Sequence, residues 1–437
     1  MLLDAMLSRL IHRGRLTVRY PDGTTRRYGQ WPQTASGSAR GAAREAPPRA
    51  DADRPAASDA GPEAAMELRG PRIARRLAFD PGLAFGEGYM DGEVVPLGCG
   101  IYELLDLFVF NMAEGGTHPA EKAMEWVRRA KRRLDQLNPA PRARRNAAHH
   151  YDLDGRVFSL FLDRDRQYSC AYFPTGQETL DEAQALKKRH IAAKLHLHRP
   201  GLEVLDIGCG WGGTALTLAR EWGARVTGLT LSAEQLDAAR RRAAEAGLAD
   251  RVRFEMLDYR AWDRPVDRVV SVGMFEHVGL AHYRGFFEVI RRALREDGVA
   301  VVHAIGRSEG PGATNPWLAK YIFPGGYSPA LSEVLPAVER SGLWMTDVEV
   351  LRLHYARTIR HWRQRFAGNR DAVAGLRDER FCRMMEFYLA GVELAFRRMG
   401  HMNWQMQLTR RVDAVPFTRD YMLDTERAAA GRARAEP

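Results

Sequence analysis

The chain has 437 residues, of which 45% are hydrophobic, and 65 Lys and Arg residues stand against 55 Asp and Glu residues. At roughly 150 residues per domain we expect two or three domains, and this hydrophobic content excludes wholesale disorder. Four cysteines without a CxxC pair give no support for a disulfide framework or a metal site, and they indicate a reducing compartment. The net charge of +10 favours an anionic partner, either nucleic acid or the cytoplasmic face of a membrane. No segment approaches the roughly 20 apolar residues of a membrane span, so we expect a cytoplasmic protein.

The first part of the chain predicts an α+β start at residues 1–32. Apolar residues recur at helical spacing over residues 2–11, and two short alternating strands follow around an Asp22–Gly23 turn. Residues 33–64 are rich in Ala, Arg, Pro, Gly and Ser, with almost no large apolar side chains. We interpret this segment as a disordered insertion, because it cannot bury enough apolar surface to offset the entropy of ordering.

Residues 65–127 predict a mainly helical N-terminal domain. Its helix through residues 101–114 is apolar around most of its circumference, so it is either buried or in contact with a lipid or a second copy of the chain. Residues 128–147 are rich in arginine around Pro139 and Pro141 and form a basic linker. This linker is either a solvated charge run or a contact for lipid headgroups.

From residue 148 to 424, short apolar strands alternate with amphipathic helices, one of them opened by Ser232 as N-cap. The alternation predicts an α/β domain with a parallel sheet and helices on both faces, in which the site lies beyond the carboxyl ends of the strands. Residues 307–411 are rich in aromatic side chains and are predicted to be mostly helical. Residues 425–437 are predicted to be a flexible tail.

A glycine-rich loop, Gly208-Cys209-Gly210-Trp211-Gly212-Gly213, lies between the first strand of this domain and a helix. Dinucleotide sites and S-adenosylmethionine (SAM) sites both use such a loop. Asp206 would face a cationic amino-acid group and repel a pyrophosphate, which favours SAM. The second strand lacks a terminal acid for a ribose, and Gln235 is the polar group best placed for that role. A structural turn in a nucleotide-free domain is the alternative.

Several further motifs accompany this loop: HHYDLDGRVFSLFLDRDRQYSCAYF, EVLDIGCGWGG, GLTLSAEQ, MFEHVG, HAIG and YIFPGGYSP. With them the chain resembles the cyclopropane-fatty-acyl-phospholipid synthases and the mycolic acid cyclopropane synthases over residues 149–411, and GEGYMDGE extends the resemblance into the N-terminal domain. The resemblance implies a Rossmann-like class I SAM methyltransferase domain with a smaller, mainly helical N-terminal domain. It also implies that the adenine lies near Asp258 and Tyr259. The residues implied to bind the cofactor are Tyr168, Ser169, Leu205, Asp206, Gly208, Gly210, Gly212, Thr230, Leu231, Gln235, Tyr259 and Arg260.

The reaction implied by the resemblance adds the methyl of SAM to a cis double bond and then removes a proton to close a three-membered ring. A bound bicarbonate takes up this proton in the family, and the matching residues are Cys170, Glu276, His303, Tyr355 and the backbone of Ile305. Donors from His303 and Tyr355 suit a small oxyanion, and Glu276 can accept the proton of the anion. Some members carry a cysteine where we align Val392, and Cys382 lies well upstream, so we assign no covalent role.

We therefore expect an enzyme that converts unsaturated phospholipid acyl chains to cyclopropane derivatives, with SAM and bicarbonate as cofactors. Its basic charge would dock it peripherally on the anionic inner face of the membrane, and a homodimer is an open alternative for its N-terminal helix. The aromatic residues Trp317, Tyr321, Phe323 and Tyr327 are expected to line the acyl-chain tunnel. A related enzyme would add a branch methyl without ring closure, and an inactive lipid-binding protein is a further alternative. A nucleic-acid methyltransferase is disfavoured, because MFEHVG stands where an (N/D)PP(Y/F) motif would be needed.

Overall fold

The structure is a computed structural model that describes residues 2–30, 61–115, 128, 129, 131, 136, 138 and 155–435. The chain divides into two compact units. The first comprises Met1–Met124 with Glu379–Leu394, and the second comprises Glu125–Asp378 with Ala395–Pro437. The predicted catalytic domain of residues 148–424 is thus interrupted by a segment that belongs to the first unit.

The first unit is built on a four-stranded sheet in the order β2-β1-β3-β4. Strand β1 pairs antiparallel with β2, as the Asp22–Gly23 turn predicts, and parallel with β3. The predicted disordered segment ends too late, because Glu63 and Ala64 lie in β3, where Ala64, Met66 and Leu68 alternate inward into the core. Residues 33–60 of that segment lie outside the described residues. The elements are α1 (Leu2–Leu10), β1 (Arg15–Arg19), β2 (Thr25–Gly29), β3 (Glu63–Leu68), α2 (Ile73–Phe79), α3 (Pro81–Met90), β4 (Val94–Pro96) and α4 (Ile101–Ala113).

Helix α4 is the predicted apolar helix, and the first unit buries part of its apolar surface. Leu104 and Leu107 are fully buried in the core formed with the sheet. On another face, Leu105 packs against Ala390 and Leu394. Phe110 and Met112 are only partly buried. Packing within the unit therefore accounts for part of the apolar circumference, and a contact with a lipid or a second copy stays a prediction.

The second unit contains a seven-stranded mixed sheet in the order β10-β11-β9-β8-β5-β6-β7. Strands β5 to β9 pair in parallel, as predicted, whereas β11 pairs antiparallel with both β9 and β10. The prediction that residues 307–411 are mostly helical did not include strands β10 and β11. The strands are β5 (Glu203–Ile207), β6 (Arg225–Thr230), β7 (Val252–Met256), β8 (Val266–Val272), β9 (Leu294–Arg307), β10 (Trp344–Val350) and β11 (His401–Thr409).

Helices cover both faces of this sheet. One core cluster joins the sheet to α9 and α11, and another joins it to α6, α7 and α8. The helices are α5 (Gly155–Phe161), α6 (Leu180–Lys194), α7 (Gly213–Trp222), α8 (Ala233–Glu245), α9 (Tyr283–Ala293), α10 (Pro316–Tyr321), α11 (Leu331–Ser341), α12 (His354–Gly368), α13 (Arg370–Leu376), α14 (Glu379–Arg398), shared between the two units, and α15 (Asp420–Ala435).

Helix α15 corrects the prediction of a flexible tail at residues 425–437. Met422 and Ala429 are buried, and Ala429 joins the core beside α6. The alanine-rich sequence has high helix propensity, and this packing supplies the stability that an isolated helix lacks. Within the described residues, no helix combines the length and the apolar character that crossing a membrane requires.

Candidate active site

A cavity lies at the carboxyl ends of the parallel strands of the second unit, where the sequence predicts the site. The chain reaches it at Gly208 after β5, Thr230 in β6, Asp258 after β7 and Gly273 after β8. The predicted cofactor residues that line the cavity are Tyr168, Ser169, Asp206, Gly208, Gly210, Thr230, Leu231, Gln235, Tyr259 and Arg260. The structure therefore brings ten of the twelve predicted cofactor residues to one cavity.

The remaining two, Leu205 and Gly212, lie outside the lining of this cavity. Leu205 is fully buried in the core between the sheet and α9. Gly212 has a φ of +81°, and a Cβ there would lie 2.6 Å from the Phe254 ring. A glycine is thus needed at this position so that the loop can turn left-handed and pack closely against β7, and not for contact with a ligand.

Asp206 and Gln235 present unsatisfied polar atoms in this cavity. Burial raises the pKa of Asp206 to about 7, and no described residue bonds its Oδ2. Gln235 accepts a bond from the Thr230 hydroxyl at 2.9 Å, and its buried Nε2 has no acceptor among the described residues. Because buried polar atoms are normally paired, these two atoms fit a ligand with a cationic group and hydroxyl oxygens. The ammonium and the ribose of SAM have this chemistry.

The end of the cavity predicted for the adenine is held by an ion pair. The Arg260 guanidinium bonds both carboxylate oxygens of Asp258, at 2.9 and 2.7 Å, and donates to the Asn138 carbonyl at 3.2 Å. Beside it, the Tyr259 ring packs edge-on against Phe286. Arg260 therefore fixes the loop after β7 rather than offering a free charge to a ligand.

Two of the predicted tyrosines contact the same tryptophan. The Tyr168 ring stacks on Trp362 with the ring centroids 5.1 Å apart, and the Tyr355 ring meets Trp362 edge-on at 5.7 Å. Helix α12 carries both Trp362 and Tyr355. Tyr168 lines the cavity, whereas Tyr355 is buried behind it.

Glu276 lies in the short 3-10 helix that follows β8. Its Oε1 accepts the Ile305 backbone N–H at 2.6 Å, and its buried Oε2 is bonded by no residue in the part of the chain that the structure describes. Burial raises the pKa of Glu276 to about 7, which places the carboxyl close to half ionisation at neutral pH. The Ile305 backbone donor that the resemblance assigns to bicarbonate is thus engaged by Glu276 here.

His303 is fully buried in β9, between two carboxamide side chains of β11. Its Nε2 lies 3.3 Å from Asn403 Nδ2, and its Nδ1 lies 3.2 Å from Gln405 Nε2. Burial, followed by nearby cations, lowers the pKa of His303 well below its ordinary value, so the ring is neutral. A neutral imidazole has one donor and one acceptor nitrogen, so one amide must present its carbonyl oxygen instead, and both carbonyl oxygens lack partners.

The five residues predicted for catalysis lie behind the cavity rather than in its lining. The Cys170 thiol is fully buried, and burial raises its pKa, so it is a neutral group that donates to the Ala171 carbonyl. The aromatic side chains expected in an acyl tunnel are also outside the lining. Among them, Tyr327 is buried and bonds Glu333 at 2.6 Å.

Several polar residues at the site were missed by sequence reasoning. Lys187 and Gln184 of α6 are buried and bond the cavity segment Gln167–Ser169. Asn403 and Gln405 flank His303 on a strand that was not predicted. The sequence signal for Lys187 was weak, because two lysines within an alanine-rich helical pattern are typical of a solvent-exposed helix face.

Comparison with known proteins agrees with this geometry. The family model for mycolic acid cyclopropane synthetase matches residues 139–406. A probable fatty acid methyltransferase of Pseudomonas putida is 41% identical over 288 residues, covering 63% of this chain and 72% of that protein. The cyclopropane-fatty-acyl-phospholipid synthase of Escherichia coli K12 is 36% identical over 350 residues, covering 80% of this chain and 88% of that protein.

A solved structure of the mycolic acid cyclopropane synthase CmaA1, complexed with SAH and CTAB, has the same fold as the second unit. It is 33% identical, with a TM-score of 0.58, over 63% of this chain and 99% of that chain. The chain belongs to the mycolic acid cyclopropane synthetase family, a family of SAM-dependent methyltransferases.

Proposed function

We propose that this enzyme transfers a methylene group from SAM to the cis double bond of an unsaturated phospholipid acyl chain and closes a cyclopropane ring. The observation that carries the proposal is Glu276, a buried carboxyl just after the strand that ends at the cofactor cavity, with one oxygen that no described residue bonds. Ring closure needs a group that removes a proton from a methylated carbocation where water is excluded. Glu276 would be the final acceptor of this proton.

The cofactor, when bound, supplies an electrophilic methyl group, and the protein positions the alkene and excludes water. An alkene is a poor nucleophile, so its alignment with the methyl provides much of the rate enhancement. Asp206 would hold the cationic end of SAM, and Gln235 would donate to a ribose oxygen. Excluding water from the site protects the carbocation on the acyl chain until the proton is lost.

Bicarbonate is the proposed carrier of that proton. Ile305 would then donate its N–H to the anion instead of to Glu276, and Glu276 would take up the proton. Tyr355, Cys170 and His303 would surround the anion, which requires His303 to exchange one of its two amide contacts. Turnover should therefore fall in buffer freed of carbon dioxide and return on addition of bicarbonate.

The substrate lies in a membrane, so we propose peripheral docking on an anionic bilayer surface. The net charge of +10 supports this docking, because basic residues near such a surface contribute about 1 kcal/mol each.

Product analysis tests the proposal. The purified protein is incubated with SAM and vesicles of a monounsaturated phospholipid, and the acyl chains are analysed by mass spectrometry before and after ozonolysis. We expect a gain of one CH2 group and resistance to ozone, because the double bond has become a ring. An added CH2 group with ozone cleavage retained would reject ring closure.

The second candidate function is C-methylation without ring closure. The identity with the Pseudomonas putida fatty acid methyltransferase, higher than that with the Escherichia coli synthase, favours it. The same incubation distinguishes the two functions. A methylene-branched chain keeps a double bond that ozone cleaves, and a methyl-branched chain contains more hydrogen than a cyclopropane.

A further inference from the structure

Lys187 is a buried lysine whose ammonium group faces the back of the cavity wall. Its Nζ lies 2.5 Å from Gln167 Oε1 and 2.9 Å from Ser169 Oγ, and the side chain is fully buried. None of the ion pairs between described residues includes Lys187, so two neutral oxygens solvate its charge. One turn earlier on α6, Gln184 Nε2 donates to the Ser169 carbonyl at 2.9 Å.

The contact with Lys187 determines whether the Ser169 hydroxyl oxygen accepts or donates a hydrogen bond there. An ammonium group only donates, so Ser169 Oγ must accept from Lys187 and its own O–H points elsewhere. No described residue accepts that proton. Ser169 lines the cavity, and a proton donor without an acceptor at a cavity wall fits an anionic ligand group.

The donor lies at one end of the cavity. A Cβ at Gly273, directly after β8, would be 3.8 Å from Ser169 Cβ. Asp258 and Tyr259 follow β7, and β5 and β6 separate that strand from β8 in the sheet. Arg166, next to this segment, also lines the cavity with its guanidinium 5.4 Å from the centroid of the Trp211 ring, and it forms no ion pair with a described residue. The Ser169 hydroxyl therefore lies away from the end assigned to adenine.

We propose that Lys187 is a positioning residue: by occupying an acceptor lone pair of Ser169, it directs the Ser169 hydroxyl proton to the carboxylate of the methionine part of SAM. A bond polarised by a neighbouring cation is stronger than one from an isolated hydroxyl. The proposal rests on SAM binding, as the proposed function does, but not on which lipid product forms.

The test compares two ligands that differ in the methionine part. S-adenosylhomocysteine carries the amino-acid carboxylate, and 5′-methylthioadenosine lacks it. Calorimetric titration of the Lys187→Met variant should show S-adenosylhomocysteine affinity lowered by about tenfold or more, with methylthioadenosine affinity within about twofold of the unchanged protein. Equal weakening of both ligands, or of neither, would overturn the proposal.

If Lys187→Met fails to fold, Ser169→Ala serves as the test, because this variant should show the same selective loss of S-adenosylhomocysteine affinity. Where both fold, the double variant should bind S-adenosylhomocysteine as weakly as Ser169→Ala alone, since Lys187 acts through Ser169. Additive losses would contradict the inference. Lys188→Met is the matched control, because that lysine bonds Asp165 at 2.5 Å and should leave the ratio of the two affinities unchanged. Failure of the unchanged protein to bind S-adenosylhomocysteine would instead contradict the proposed function.

Discussion

Glu276 is the residue on which the proposed chemistry depends most. Replacing it by Gln keeps the shape and the acceptor for Ile305 N–H but removes the group that takes up a proton. We expect Glu276→Gln to lower turnover by about 100-fold or more, the usual contribution of a general base, with S-adenosylhomocysteine affinity within about twofold. Product formation from vesicles and calorimetric titration would measure the two quantities. A variant with full turnover would remove Glu276 from the mechanism.

The burial of Glu276 also couples folding to pH. Its pKa is about 7 in the folded protein, above the ordinary value of about 4.3, so the unfolded chain gives up this proton first as the pH rises. The folded state therefore loses stability between about pH 4 and pH 7, by roughly 3 kcal/mol from this group. Asp206, with a pKa of about 7, acts in the same direction. Thermal unfolding should show Glu276→Gln gaining stability over the unchanged protein as the pH rises from about 5 to 8, and a constant difference would contradict this coupling.

His303 depends on its two amide neighbours for a fixed tautomer. Gln405→Met retains the volume but leaves one ring nitrogen in the protein interior without a partner. We expect a loss of about 1–3 kcal/mol in the free energy of unfolding. With ¹⁵N-labelled histidine, the nitrogen spectrum should show one tautomer of His303 in the unchanged protein and a mixture in the variant. An unaltered spectrum would show that Gln405 does not orient the ring.

Among the elements, those with a strong local pattern were predictable from the sequence. The glycine loop directly follows an apolar strand, and the short strands β5 to β9 alternate with helices, so both the fold class and the position of the cavity followed from the sequence. Strand β11 was missed because its residues, such as Asn403 and Gln405, are polar and yet buried. Their burial depends on pairing with β9, about 100 residues earlier in the chain, and local composition does not reveal that contact.

Helix α15 is held by a histidine between two carboxylates. His190 of α6 bonds Glu426 of α15 at 2.6 Å and Glu349 of β10 at 2.7 Å. Burial alone would lower the pKa of His190, but these two hydrogen bonds outweigh it and raise the pKa. Each ring nitrogen faces a carboxylate oxygen, which accepts, so the ring in this arrangement is the charged, doubly donating form, and it ties the helix to the sheet edge.

Glu426→Ala should destabilise the protein by about 1–3 kcal/mol at about pH 6. A raised histidine pKa stabilises the fold fully below the unfolded value of about 6.5, and this contribution is lost as the pH rises through the folded pKa. The effect of the variant should accordingly be smaller at about pH 9, as measured by urea unfolding. Asp424→Ala, at an exposed carboxylate on the same helix, is the control and should show no such pH dependence. An equal loss at both pH values would exclude the charged histidine as the cause.

For the whole molecule, the net charge of +10 is informative only through its distribution. Many arginines are neutralised locally, as Arg260 is by Asp258 and Arg242 by Asp165. An arginine that is paired in this way stabilises the fold and adds little to the electrostatic field outside the protein. The arginine-rich linker at residues 128–147 has the densest run of positive charge in the sequence, and most of it lies outside the described residues.

We predict that this linker carries the affinity for anionic membranes. Neutralising Arg142, Arg144 and Arg145 to Gln should weaken binding to anionic vesicles by about tenfold or more at low salt, since basic residues near such a surface contribute about 1 kcal/mol each. Sedimentation with vesicles at two salt concentrations measures the effect, which should shrink at high salt because screening removes the attraction. The matched control neutralises the exposed Arg225, Arg251 and Arg253 at the amino ends of β6 and β7, opposite the cavity. Equal losses in both triple variants would mean that net charge, rather than the linker, governs docking.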